Sequence, residues 1–135
     1  MDRRTLIAAG ALYLVSGCQA LGAKTNREGK GIITIDSVII ENNSDKDDTV
    51  YVAAVNEGRV VHRGDVRVKS GKTKRLEKQG QEDWIGKSFA FFGNTEAFTN
   101  QETSGIDNKE GNKQTWKVRY TVKNGGDLEL TQSKL

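Results

Sequence analysis

Strict two-residue alternation governs the end of this chain. From Trp116 to Val122, the residues Trp116, Val118, Tyr120 and Val122 fall on one side of an extended backbone and Lys117, Arg119 and Thr121 on the other. That is the pattern of a strand with one buried face. Asn124-Gly125-Gly126-Asp127 follows, and glycine and asparagine accept the positive φ of a tight turn. Leu128 to Thr131 then pairs back with Leu128 and Leu130 inward, while Ser133 to Leu135 is expected to fray.

The same grammar holds upstream. Ile32 to Ile40 is rich in β-branched residues and reads as one long or bent strand. Asn42 to Asp48 supplies turn formers, Thr49 to Val55 a second strand, and Asn56-Glu57-Gly58 a hairpin turn into a third, Arg59 to Arg63. Gly64 to Lys69, with Val66 and Val68 alternating, leads through Ser70-Gly71-Lys72 to a short strand at Thr73 to Leu76. Gln79 to Asp83 is expected to coil or make one helical turn. Ser88 to Phe92, apolar on both faces, reads as a central strand. Gly93 to Gln114 is polar, interrupted by Gly105 and Gly111, and reads as a long loop of the kind that carries function.

About seven short strands at this spacing predict an all-β chain: a single antiparallel immunoglobulin-like β-sandwich. Hydrophobic residues are 35% of the chain and charged ones 29%. So polar a domain has a thin core, which a two-layer sandwich uses efficiently. The chain has no proline, so its 15 glycines must make the turns.

The first eighteen residues obey different rules. Asp2, Arg3 and Arg4 form a charged head, Leu6 to Val15 an apolar run too short to span a bilayer, and Val15-Ser16-Gly17 a small-residue approach to Cys18. This is the architecture of an export signal. It resembles the lipobox of prokaryotic lipoproteins, in which Cys18 would take a thioether-linked diacylglycerol and begin the mature chain. Arg3-Arg4 followed by Thr5-Leu6-Ile7 also resembles a twin-arginine signal, the alternative being a plain positive head. Two acyl chains anchor a protein stably. The expected organisation is a signal over 1–17, a lipidated cysteine and flexible tether over 18–31, and a sandwich domain over 32–135. The chain's one cysteine is then committed to lipid, and no disulfide is expected.

The stretch from Val38 to Leu76, with Glu41-Asn42-Asn43-Ser44-Asp45, Thr49-Val50-Tyr51-Val52, Asn56-Glu57-Gly58-Arg59-Val60-Val61 and Ser70-Gly71-Lys72-Thr73, is similar to the first half of small immunoglobulin-like domains. Such domains occur in exported archaeal lipoproteins, particularly of haloarchaea, and the Asp2-Arg3-Arg4-Thr5 head resembles their signals. The resemblance implies an envelope location. The basic balance, net +3, departs from proteins of hypersaline media and leaves a bacterial lipoprotein equally open.

Candidate sites are few. One histidine, His62, and an acylated cysteine supply neither blue copper nor structural zinc, so no cofactor is expected. Asp45, Asp47 and Asp48 lack the register of a calcium loop and read as a solvated turn. Basic residues concentrate between Arg59 and Lys78, where Arg59, Arg63, Arg67, Lys69, Lys72, Lys74 and Arg75 are the candidates for contact with an anionic surface; edge protection is the competing reading. The acidic run Glu41 to Asp48 is expected at a separate end. No aromatic residue interleaves with the basic run to stack bases, so nucleic acid is not expected. Asn42-Asn43-Ser44 is a glycosylation sequon. Trp84, Trp116, Phe89, Phe91 and Tyr120 read as core, and no nucleophile–base pair or phosphate loop is present.

These features predict a non-enzymatic, membrane-anchored envelope lipoprotein on the outer face of the cell membrane or on an outer membrane. It would act as a binding or structural module towards an envelope protein or surface polymer. The alternatives are an accessory lipoprotein of a secretion or transport complex and, less favoured, a small extracytoplasmic hydrolase.

Overall fold

The computed structural model describes residues 31–98 and 100–135. The expectations placed on Arg3, Arg4, Val15, Ser16, Gly17 and Cys18, and on the tether up to residue 30, lie outside the described residues. Gly31, the last residue of the expected tether, is buried and donates its backbone N–H to the Asn108 carbonyl.

Nine strands form among the described residues: β1 (Ile33–Asn42), β2 (Asp48–Asn56), β3 (Arg59–Val68), β4 (Thr73–Arg75), β5 (Ile85–Gly86), β6 (Ser88–Thr95), β7 (Glu102–Asp107), β8 (Gln114–Val122) and β9 (Leu128–Lys134). They build two sheets. The first runs β9-β8-β1-β4, with β5 also on β1, and the second runs β3-β2-β6-β7. The chain is thus the all-β sandwich its alternation predicts. Two of the nine strands are only two or three residues long, which separates this count from the expected seven. Pairing is antiparallel except between β1 and β8, which run parallel from Ile33↔Gln114 to Asn42↔Val122. The expected wholly antiparallel arrangement fails there because β1 is inserted beside the penultimate strand.

β1 holds the core together by changing face midway. Ile33 and Ile35 lie at odd positions, Val38 and Ile40 at even ones, yet all four are fully buried. The register with β8 shifts between Ile35 and Ser37, and such an extra residue turns the rest of the strand over. Beside them in the same sheet lie Val118, Tyr120 and Val122 of β8, and across the core Val50 and Val52 of β2 and Phe89 and Phe91 of β6.

Several boundaries differ from expectation. Arg59–Arg63 and Gly64–Lys69 are one strand, β3, because Gly64 continues the ladder opposite Val52. The expected loop from Gly93 to Gln114 holds the end of β6 and all of β7. β7 escapes an alternation test because only Ile106 is buried, the strand leaning for its place on β6. Nor does the C-terminus fray: β9 pairs with β8 to Lys134, and Leu135 N–H bonds the Thr115 carbonyl at 2.8 Å.

The two lateral sides of the sandwich are finished differently. On the β7/β9 side, side chains bridge the layers: Ser104 bonds Gln132, Gln132 Nε2 donates to the Gly105 carbonyl at 2.9 Å, and the Asn100 carboxamide both donates to and accepts from Leu128 backbone. On the other side, the β1 edge is covered by β4 and β5, and Leu76 N–H bonds the Val38 carbonyl between them. Among the described residues, no strand pairs with the outer edge of β3.

Gly93 sits under the Tyr120 ring. A Cβ there would lie 2.3 Å from Tyr120 Cε2, and the Tyr120 hydroxyl donates to the neighbouring Phe92 carbonyl at 2.8 Å. The glycine is needed for space, since its φ is ordinary. Gly93→Ala is expected to lower stability by about 2 kcal/mol through overpacking, measured as the urea midpoint; an unchanged midpoint would refute the ring-on-backbone contact.

Candidate functional site

The basic residues singled out in the sequence do come together. The turn Glu57-Gly58, both with positive φ (52° and 84°), reverses the chain into β3, and two-residue turns of this kind match the twist of a hairpin. β3 is the edge of one sheet and β4 the edge of the other on the same lateral side. Between them the turn at Lys69–Lys72 closes through a 3.0 Å bond from Lys72 N–H to the Lys69 carbonyl, with Gly71 at φ 76°. Arg63 lies opposite Ala53, Lys74 opposite Ile40 and Arg75 opposite Ile39.

Two of the seven candidates are already committed. Arg59 Nη1 meets Asp83 Oδ1 at 3.0 Å, tying β3 to the 3-10 turn Gln81–Trp84. Arg67 Nη1 donates to Thr49 Oγ1 at 3.2 Å and lies 3.7 Å from Glu96 Oε1. Among the described residues, Arg63, Lys69, Lys72, Lys74 and Arg75 form no ion pair. All five are exposed.

Lys78, the last cation of the run, is built into the wall behind this edge. Its ammonium donates to the Asp36 carbonyl at 2.8 Å and also to that of Ile35, and it lies 5.9 Å from the Trp84 ring centroid. It thereby satisfies β1 carbonyls at the bulge between β4 and β5. Desolvation there lowers its pKa from the ordinary lysine value; Asp36 acts in the opposite direction, and Arg75 adds to the lowering.

His62 occupies the core-side face of β3. Its ring centroid is 6.4 Å from that of Trp84, which in turn stacks on Phe91 at 6.5 Å. Burial lowers the His62 pKa below its ordinary 6.5, so folding favours the neutral imidazole. The folded state therefore binds fewer protons than the unfolded one just below 6.5, and stability is full above that value and declines as pH falls through it. Urea titrations from pH 8 to 5 should show this decline, and His62→Gln should remove its share; identical slopes would contradict it.

Asn42 corrects the sequon reading. Its side chain is fully buried: Nδ2 donates to the Lys46 carbonyl at 2.8 Å and the Val68 carbonyl at 2.9 Å, while Oδ1 accepts from Ser44 N–H and Oγ. The amide nitrogen that a glycan would occupy is committed to the fold, where it joins the end of β3 to the 43–47 turn. Asn42→Ala leaves those groups unmatched in a dry site and is expected to cost about 2–3 kcal/mol. A calorimetric Tm equal to wild type would contradict this role.

The acidic residues expected at a separate end instead abut the basic turn. Asp47 Oδ1 accepts Ser70 N–H at 3.0 Å, and Ser70 Oγ donates to the Ser44 carbonyl. Asp48 Oδ1 accepts from Thr49 and Glu96 N–H, and Glu41 pairs with Arg119 on the other face. Of the carboxylates weighed for calcium, those of Asp47 and Asp48 are thus spent on separate backbone groups. Among the described residues, no three metal-ligating side chains converge.

Concavity is limited. A depression of about 250 Å³ lies at the pole where β1 begins, lined by Val55, Glu57, Gly58, Ser88, Ala90 and Asp107 among others. His62 is not among its lining residues. Trp84, Phe89, Phe91 and Tyr120 are core as expected, and Trp116 is partly buried with its indole N–H on Gln114 Oε1. What sequence reasoning missed is the β7/β9 closure by Asn100, Ser104 and Gln132, polar residues whose role appears only when two distant strands meet. The chain matches no protein-family model, and no curated protein is significantly similar to it.

Proposed function

We propose that this protein is an exported envelope lipoprotein, held by a diacylated Cys18 on the outer face of the cell membrane or on an outer membrane. Its sandwich acts as an immunoglobulin-like, non-catalytic binding or structural module. The observation that carries this reading is the set of five cations on the β3/β4 side, which form no ion pair among the described residues, while the opposite side is stitched shut by side chains. Charge alone protects an edge strand from aggregation; here it also gathers a rim of cations from mid-height of β3 to the Lys69–Lys72 turn, with Asp65 among them.

The rim's position favours a partner over the protein's own membrane. Gly31, where the tether joins, sits at the pole where β1 starts, held by Asn108. Lys69 and Lys72 lie at the opposite pole, beside the end of β1, where Gly71 N–H bonds the Asn42 carbonyl. A domain hanging from that tether presents its basic turn outward, towards an envelope protein or surface polymer. An accessory role in a larger envelope complex uses the same surface.

Two measurements test the reading. The intact mass of membrane-extracted protein should begin at Cys18 with added acyl chains, and Cys18→Ala should abolish the modification; an unmodified full-length mass would overturn the anchor. Photo-crosslinkers placed in living cells at Lys72 and at Thr131, on β9 at the far edge of the β4 sheet, should yield a stoichiometric adduct from the first position only. Equal yields would overturn the assignment of the surface.

A further inference from the structure

Resting on the binding-module reading, and naming the partner it implies, the unoccupied edge of β3 has features beyond charge. β3 is ten residues long, whereas the strands on the corresponding edge of the other sheet have three and two. In an antiparallel ladder, alternate residues of an edge strand turn their N–H and C=O groups outward, away from the sheet. The register irregularity opposite Ala54 and Val55 lies near the hairpin turn, which leaves His62 to Val68 as an uninterrupted template. At its centre Gly64 contributes no side chain of its own, the His62 ring lying 3.5 Å from where its Cβ would be. The protein otherwise covers its edges: Leu76 and Lys78 cap β1 between β4 and β5.

We propose that β3 takes up an extended segment of a partner protein as a fifth strand of its sheet, and that this segment carries carboxylates four residues apart on one face. Arg63, Asp65 and Arg67 share the outer face, opposite Ala53, Tyr51 and Thr49. A carboxylate opposite Arg63 and a second that shares Arg67 with Glu96, with a neutral or basic residue between, matches that order, and opposite charges across a strand pair are favourable. Lys69 and Lys72 extend the complementarity at one end, and Lys74 lies alongside on β4. A second copy of this chain would bring basic rim against basic rim. A lipid surface needs its cations in one plane, whereas Arg63 and Arg75 project from the outer faces of opposite sheets. Main-chain pairing supplies affinity in such an addition, and the alternate side chains supply selectivity.

The test uses purified full-length protein and a fluorescein-labelled nine-residue threonine peptide with glutamate at its third and seventh positions, followed by anisotropy at low salt. It does not depend on the lipid, so failure of the anchor and failure of strand addition are read separately. The acidic peptide should bind at least about tenfold more tightly than its threonine–lysine counterpart. N-methylation of alternate amides, which removes the ladder and keeps the charge, should weaken it by about tenfold or more. Arg63→Glu combined with Lys69→Glu should have a similar effect, and Thr131→Glu none. Equal affinity of plain and N-methylated peptides would overturn strand addition in favour of charge adhesion. Binding to phosphatidylglycerol vesicles without peptide binding, or dimerisation abolished by Arg63→Glu, would overturn the choice of partner.

Discussion

The register shift in β1 is the constraint on which the rest of the sandwich depends. A strand that alternates strictly would bury either Ile33 and Ile35 or Val38 and Ile40, and leave the other pair in water. By inserting one residue near Asp36, the chain buries both pairs. The same irregularity leaves the Ile35 and Asp36 carbonyls without strand partners on that edge, and Lys78 reaches across to take them. Lys78 in turn lies over Trp84, which contacts Phe91 below and His62 on β3. One backbone bulge thus links the inner strand of one sheet to the edge strand of the other.

Above that level the fold is held at its poles by carboxamides. Asn42 joins the end of β1 to the end of β3, and Asn108 clamps the start of the described chain by bonding the Ile32 and Asn112 carbonyls. Asn100 ties β9 to the turn after β6. With no disulfide available among the described residues and a thin core, these two-ended amides do the work of cross-links. Among the described residues, the backbone edge of β3 is left unpaired, while Asn42 ties its end to the other sheet and the Arg59–Asp83 pair ties its start to the 3-10 turn.

Much of this was legible in the chain. Trp116 to Val122 declared its buried face, the Asn124–Asp127 and Glu57–Gly58 turns fell where glycine and asparagine stand, and the cluster of cations from Arg59 to Arg75 was visible as such. What escaped has a common physical cause. β7 shows no alternation, because an edge strand beside the aromatic β6 needs a single apolar anchor, Ile106. Asn42 reads as a sequon, because a triplet does not tell an exposed amide from one buried among carbonyls. The split of β3 at Gly64 came from treating glycine as a breaker, where the ladder simply passes through it. The commitment of Arg59 to Asp83 and of Arg67 to Glu96 depends on segments more than twenty residues distant in sequence.

The most direct measurement is native-state amide hydrogen exchange on the full-length protein, read residue by residue by NMR. An open β3 edge predicts that amides at alternate positions between Arg63 and Arg67 exchange nearly as fast as in a free peptide, while the Leu128 amide, held by Asn100 across the closed side, is protected. Uniform protection along β3 equal to that of β2 or β6 would mean that the edge is already covered, and would contradict the account.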